Sequence, residues 1–389
     1  MKIFYLACDI QLDTGHGGAT HVLEVAENLA ALGHVVHVFA RGKDAAGSVS
    51  YHKTPTCIPR YARFLNRYFI QSFLDRLHPD ILMERYYNFG GEGAWLKKRS
   101  RVPLILEVNS PMIEYRGSPK DRLDRILLCR PFERYRLWQA RSADLIVTPL
   151  PAIIPEAINR DRIVKLPWGA NTSMFSRSGR GPSMRARLGI PDHAPVAIFT
   201  GSFRKWHGAF QFVEAACDLI QSSLPELRVI LIGDGETLKD VLHYAAVHAP
   251  RDHFIAPGRV PYTEVPSYME AADIAVAPFN TLAHPYLTLG FFWSPLKIFE
   301  AMSMELPVVT IDRPELREIV GDGGQYYSEG DWKAMGQALL KLARDRDQCR
   351  RIGKEARSRV AQFSWRAHCD ALAGHLESII GKSRQPTSL

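Results

Sequence analysis

The chain has no apolar run approaching the roughly 18 residues a membrane-spanning helix needs, which excludes a protein built across a bilayer. Cysteine is scarce and scattered, at 8, 57, 129, 217, 349 and 369, with no CxxC pair. That excludes a zinc ribbon or a disulfide framework and points to a reducing compartment. The glycine-rich stretch near the amino terminus reads Gly15-His16-Gly17-Gly18-Ala19, not GxGxxG, which argues against a nicotinamide dinucleotide. A D-x-D occurs once, as Asp345-Arg346-Asp347, in a charged helical stretch and not at a strand end, so no metal is expected. No RNP, KH or zinc-finger pattern accompanies the basic residues, so nucleic acid is not an expected partner. The opening MKIFYLACDI is too short in apolar residues for a secretory core and reads as a first strand; with the scattered cysteines, the expected location is the cytoplasm.

What is present suffices for two domains: 389 residues, 46% hydrophobic and 23% charged. Apolar runs alternate with helix-length amphipathic segments, the pattern of parallel sheets with crossover helices. Strands are expected at 3–7, 35–40, 81–84, 103–108, 144–148 and 162–166. A second series follows at 194–201, 227–233, 253–258, 273–279 and 307–311. The Gly-, Pro-, Ser- and Arg-rich stretch 171–195 separates the two, giving expected domains 1–168 and 169–362. A helix is expected from Thr20 to Leu32, another amphipathic one from Phe363, and a frayed end over 381–389.

The net charge of +8 is unevenly spread. Between Ile58 and Arg141 seventeen Lys/Arg face nine Asp/Glu, an excess equal to that of the whole chain. Arg60, Arg63 and Arg67 recur at helical spacing beside Phe64, Tyr68, Phe69 and Phe73. This mix suits either an anionic membrane surface, over residues 60–76, or a half-buried helix with solvated arginines.

The most informative segment is Ser294 to Thr310. Ser294 is an expected N-cap and Pro295 an expected first helical residue, so a helix starts there and Pro307 ends it before an apolar strand. The amides of such a start, including that of Leu296, suit an anion, and Lys297 adds charge. Glu300 lies one turn on, on the same face, where a carboxylate can take two ribose hydroxyls.

This segment, SPLKIFEAMSMELPVV, resembles the carboxyl-half signature of the family 4 retaining glycosyltransferases, in the form of a subgroup with an SPLK loop. Gly17-Gly18, EVNSP at 107–111, PWGANTSMF at 167–175 and GSFRKWHG at 201–208 resemble further family segments in the same order. The resemblance implies an α/β fold of the GT-B type, two Rossmann-like domains facing a cleft, with the last helix returning from 363–380 to the first. It also implies a nucleotide-sugar donor, a glycan or lipid-linked acceptor, and no cofactor or metal.

The resemblance assigns roles residue by residue. Glu300 matches the family's second glutamate, but Phe292 stands where the first should be. Ser202 and His207 stand where the family has Arg and Lys, so Arg204 and Lys205 are expected to neutralise the leaving diphosphate. Gly17 and Gly18 lie near donor diphosphate and sugar, Gly233 lines the site, and Val260 with Arg259 meets the base. Asn109 replaces a histidine and is expected to position the sugar, with Glu107 and Glu114 the nearby carboxylates. The implied function is retaining transfer in bacterial-type surface polysaccharide or glycolipid assembly, on the inner face of the membrane. A sugar-nucleotide epimerase and a catalytically silent nucleotide-sugar-binding subunit remain as alternatives.

Overall fold

The computed structural model describes every residue except Gly15, His16, Trp293 and 385–389, and leaves aside the side chains of Arg60, Thr288, Ser383 and Arg384. The chain divides between Gly169 and Ala170, and again between Ser364 and Trp365, with Phe292 and Ser294 grouped with the first unit.

Among the described residues the first unit is built on a seven-stranded parallel sheet: β1 (Lys2–Gln11), β2 (Val35–Arg41), β3 (Val49–Lys53), β4 (Ile81–Arg85), β5 (Leu104–Glu107), β6 (Leu145–Thr148) and β7 (Ile163–Lys165). Their order is β3-β2-β1-β4-β5-β6-β7. The central strand β1 is buried from Ile3 to Cys8 without alternation, as expected where helices cover both faces. Its helices are α1 (Gly17–Ala31), α2 (Asn66–Leu77), α3 (Glu92–Ser100), α4 (Pro119–Ile126) and α5 (Pro131–Ser142).

The second unit carries a six-stranded parallel sheet: β8 (Val196–Thr200), β9 (Arg228–Ile232), β10 (Phe254–Gly258), β11 (Ile274–Ala277), β12 (Val308–Ile311) and β13 (Gly324–Tyr327), in the order β10-β9-β8-β11-β12-β13. Its helices are α6 (Gly181–Arg187), α7 (Ala209–Ser222), α8 (Leu238–His248), α9 (Val265–Glu270), α10 (Leu296–Ser303), α11 (Pro314–Val320), α12 (Trp332–Arg344) and α13 (Arg346–Val360). The closing helix α14 (Trp365–Arg384) belongs to the first unit, where it packs on α1. Its buried Trp365, Cys369, Leu372 and Leu376 recur at helical spacing.

Each expected strand is present to within two or three residues, apart from β1, which continues to Gln11. The two that sequence patterning missed, β3 and β13, are both sheet edges. Half-exposed edge strands need no continuous apolar run, so VSYHK and GQYY carry a weak signal. Helix α1 starts at Gly17, ahead of the expected Thr20. The terminal helix continues through 381–384, where fraying was expected; 385–389 lie outside the described residues.

Candidate functional site

Three neighbouring strands of the second unit end in glycine, at Gly201 after β8, Gly233 after β9 and Gly258 in β10. Gly201 N–H donates to Ile232 O and Gly233 N–H to Gly258 O, both at 2.9 Å. The backbones meet so closely that a Cβ on Gly233, whose φ is +132°, would lie 1.9 Å from Gly201 O. Only glycine can stand there.

Helix α10 brings Lys297 against this turn. A Cβ on Gly201 would sit 3.0 Å from Lys297 Nζ. Nζ is shut off from solvent, lacks a hydrogen-bond partner, and lies 4.2 Å from the centre of the Phe199 ring. Burial pushes its pKa down to about 7, against the pull of Glu300 one turn along. Glu300, itself 7% exposed, accepts a hydrogen bond from Tyr262 Oη at 2.8 Å on Oε1. His207 Nδ1 donates to Ser202 O at 2.6 Å. Burial, reinforced by the charge of Lys297, holds His207 well below the usual histidine range, so its ring is neutral.

The first unit assembles a second group around the ends of β5 and β7. His21, fully buried on α1, contacts Glu107 through Nε2, and Tyr5 Oη donates to Glu107 Oε2 at 2.7 Å. Burial alone would push the Glu107 carboxyl up; His21 outweighs it, with Arg85 and Tyr5, and holds it well below the usual range. The Trp168 ring stacks on His21 at 4.3 Å, and its Nε1–H donates to Asn109 Oδ1 at 2.8 Å. Trp168 N–H donates to Ser294 Oγ at 3.0 Å. His368 Nδ1 donates to Pro167 O at 2.8 Å, and burial with His21 nearby lowers its pKa to about 4.

Two family models match. "Glycosyl transferases group 1" covers residues 182–359 and "Glycosyltransferase Family 4" covers 15–173, so between them they span most of both units. The chain belongs to the family 4 glycosyltransferases. Among curated relatives of this glycosyltransferase family member, the sulfoquinovosyl transferase SQD2 of Arabidopsis thaliana is 26% identical over 337 residues, 82% of this chain and 59% of its own length. A D-inositol 3-phosphate glycosyltransferase of Nocardia farcinica is 27% identical over 322 residues, 76% of this chain. The chain thus spans about three fifths to two thirds of these relatives, 59% and 65%. In fold it is similar to sucrose-phosphate synthase of Thermosynechococcus elongatus, with a TM-score of 0.76 at 17% identity, covering 98% of this chain and 100% of that one. It is also similar to Anabaena HepE solved with UDP-glucose, with a TM-score of 0.71 at 18% identity, covering 97% and 100%. Both are GT-B structures.

Seen as a family 4 member, the chain places its sequence-identified residues unevenly. Lys297, Glu300, Ser202, His207 and Gly233 gather in the second unit at the strand-end turns. Arg204 and Lys205 lie exposed on the same loop, Arg204 over the Trp206 ring at 5.0 Å. Arg259 is exposed beyond β10 and Val260 half-buried. Helix α10 starts one residue late: Leu296 is its first residue, Pro295 the cap, and Ser294 Oγ is occupied by Trp168 and caps nothing. Gly17 and Gly18 open α1, while Gly15 and His16 lie outside the described residues. Phe292, in the place of the missing glutamate, is buried. Glu114 is taken up structurally, accepting from Ser118 Oγ and Lys120 Nζ, both at 2.9 Å. Asp345 caps α13 through Gln348 N–H, and Asp347 pairs with Arg350, so the D-x-D does structural work. Sequence reading missed Tyr262 and the Trp168–His21 stack. Trp168 lies inside the segment PWGANTSMF, but a chain pattern cannot show which side chain it meets.

Proposed function

We propose that the protein is a retaining glycosyltransferase that moves a sugar from a nucleotide-diphosphate donor to a glycan or lipid-linked acceptor, in surface polysaccharide or glycolipid assembly. The observation that carries the reading is Lys297. A cation sealed from solvent without a hydrogen-bond partner is costly, and a diphosphate against the turn at Gly201 would offset that cost. In this reading the first turn of α10, from Pro295 and Leu296, and Lys297 hold the diphosphate, with Arg204 and Lys205 on its open side. Glu300, oriented by Tyr262, takes the ribose hydroxyls. Val260 and Arg259 meet the base, and Gly17 and Gly18 stand near the donor sugar.

The bond from the sugar C1 to the diphosphate oxygen breaks as the acceptor oxygen bonds to C1 on the same face. The acceptor proton passes to the departing phosphate, so no protein base is required. Asn109 donates to the reacting sugar, and side-chain cations meet the leaving charge without a metal. Relatives named as an α-monoglucosyldiacylglycerol synthase and a lipopolysaccharide core glycosyltransferase support a lipid or glycan acceptor. The basic and aromatic surface of the first unit, 60–76 and 120–136, would then rest on an anionic membrane. No helix among the described residues is long and apolar enough to cross one.

The test is a panel of UDP-, GDP- and ADP-sugars scored by thermal shift and by slow donor hydrolysis. One base should stabilise the protein and release its sugar. If no nucleotide-sugar does either, the reading fails.

A further inference from the structure

The basic surface of the first unit is not merely a charged face: it contains a cavity of about 350 Å³. Its walls are aromatic, from Tyr61, Phe64, Phe89, Phe132, Tyr135 and Trp138, and Arg67, Lys120 and Arg136 also line it. The polar end of Tyr135 is spent on Gly90 O. Lys120 is spent on Glu114 at 2.9 Å, and Arg136 lies between Glu114 at 3.6 Å and Asp124 at 3.8 Å. What remains to the cavity is mostly ring surface, with one cation, Arg67, that has no carboxylate partner among the described residues. The Arg67 guanidinium stacks 4.9 Å from the Tyr68 ring and 5.0 Å from that of Trp95.

The surroundings of the cavity are unusual for a surface facing water. Tyr61 is 68% exposed, and at the end of α4 Ile126 is 75% and Leu128 86% exposed, with Leu127 between them. Leu128 and Arg130 both adopt a left-handed φ of +48°, a conformation costly for residues with a side chain. This turn runs directly into Pro131 and Phe132 of the cavity wall. Arg122 on α4, Arg134 on α5 and Arg116 just ahead of α4 are exposed and have no ion pair among the described residues. Exposed apolar residues at a strained turn, with unpaired arginines on the same segment and an aromatic cavity at its end, match a lipid with an anionic head and an apolar tail.

We propose that this cavity takes up one hydrocarbon chain of an anionic bilayer phospholipid, while the surrounding arginines hold its headgroup. The inference rests on the membrane-facing reading of this segment but not on the transfer reaction. Charge alone would give attachment that salt reverses; a chain in the cavity would give attachment that survives salt, because ions do not screen apolar burial.

The experiment uses the full chain and phosphatidylglycerol vesicles whose acyl chains carry bromine, a quencher of tryptophan fluorescence. Wild type should co-sediment and stay bound at about 1 M salt, where the Debye length is only about 3 Å. Its fluorescence should be quenched more than that of Trp138→Phe, because Trp138 lines the cavity. Tyr61→Glu, at an exposed position that leaves the core intact, should bind at low salt but be released at high salt. Failure of wild type to bind at low salt overturns the membrane reading itself. Complete release by salt, or equal quenching in wild type and Trp138→Phe, overturns the cavity assignment alone. If a brominated isoprenoid phosphate quenches the tryptophan signal and brominated phosphatidylglycerol does not, the cavity belongs to a lipid-linked acceptor and the phospholipid assignment falls.

Discussion

Trp168 donates its indole N–H to Asn109 Oδ1 at 2.8 Å, and this fixes which way the Asn109 amide points. An indole nitrogen only donates, so the amide must present its oxygen to Trp168 and leave Nδ2 as a donor. Nδ2 is buried and has no partner, a group waiting for an acceptor atom. Asn109→Ala should lower kcat by about 10²-fold, the effect of losing one transition-state donor. Trp168→Phe keeps a ring on His21 but releases the amide, and should cost about tenfold, or ~1.4 kcal/mol of barrier. Wild-type kcat in Trp168→Phe, with an unchanged melting temperature, would show that the hydrogen bond is only structural.

Glu300→Gln should weaken donor binding by about 1.5 to 3 kcal/mol, the range for a hydrogen bond to a charged group. Tyr262→Phe, which removes the hydrogen bond to Glu300, should cost about 1 kcal/mol. Titration calorimetry with the matching nucleoside diphosphate reads both. Equal affinity in wild type and Glu300→Gln would place the ribose elsewhere.

In the proposed site, Lys297 should make donor binding depend on pH. Its pKa in the free protein is about 7, and a diphosphate beside it should raise that value, so binding takes up a proton. Affinity is then greatest below neutral pH and falls as pH rises through 7 towards the bound-state value. Calorimetry slightly above neutrality, in two buffers of different ionisation enthalpy, should show proton uptake that vanishes in Lys297→Met. Buffer-independent heats in wild type would refute this.

Under the proposed transfer, in which they neutralise the departing diphosphate, Arg204→Ala and Lys205→Ala should lower turnover more than affinity. Lys297→Met should lower it further. The two loop cations are exposed and screened by water, whereas Nζ of Lys297 is sealed in a medium of low dielectric. Steady-state kcat for the three variants ranks them, and a larger loss from either loop residue would reverse the assignment.

Glu107 should contribute to stability. Glu107→Gln breaks a buried pair with His21 and should cost about 3 kcal/mol by urea unfolding. Because its folded pKa is depressed, the stabilisation is present above the ordinary glutamate value of about 4.3 and is lost as pH falls through the folded value. Wild type should therefore lose its advantage over the variant in acid. A constant difference down to the lowest pH would contradict this.

The sequence by itself determined the two α/β halves, because strands buried on both faces of a parallel sheet must be apolar runs, and crossover helices must separate them. It also marked Glu300 and Lys297, whose spacing of three puts them on one face of any helix. What it could not carry was the edges and the partners. Strands β3 and β13 are half-exposed and leave little pattern. The start of α10 moved by one residue because Ser294 finds Trp168, 126 positions away, instead of the helix. Lys297 proved to be the sealed cation, and Arg204 and Lys205 exposed ones, because burial is a property of what folds over a side chain. The donor character of Asn109 was likewise decided only in three dimensions: amide orientation follows from the neighbour it meets, and no local pattern places Trp168 beside it.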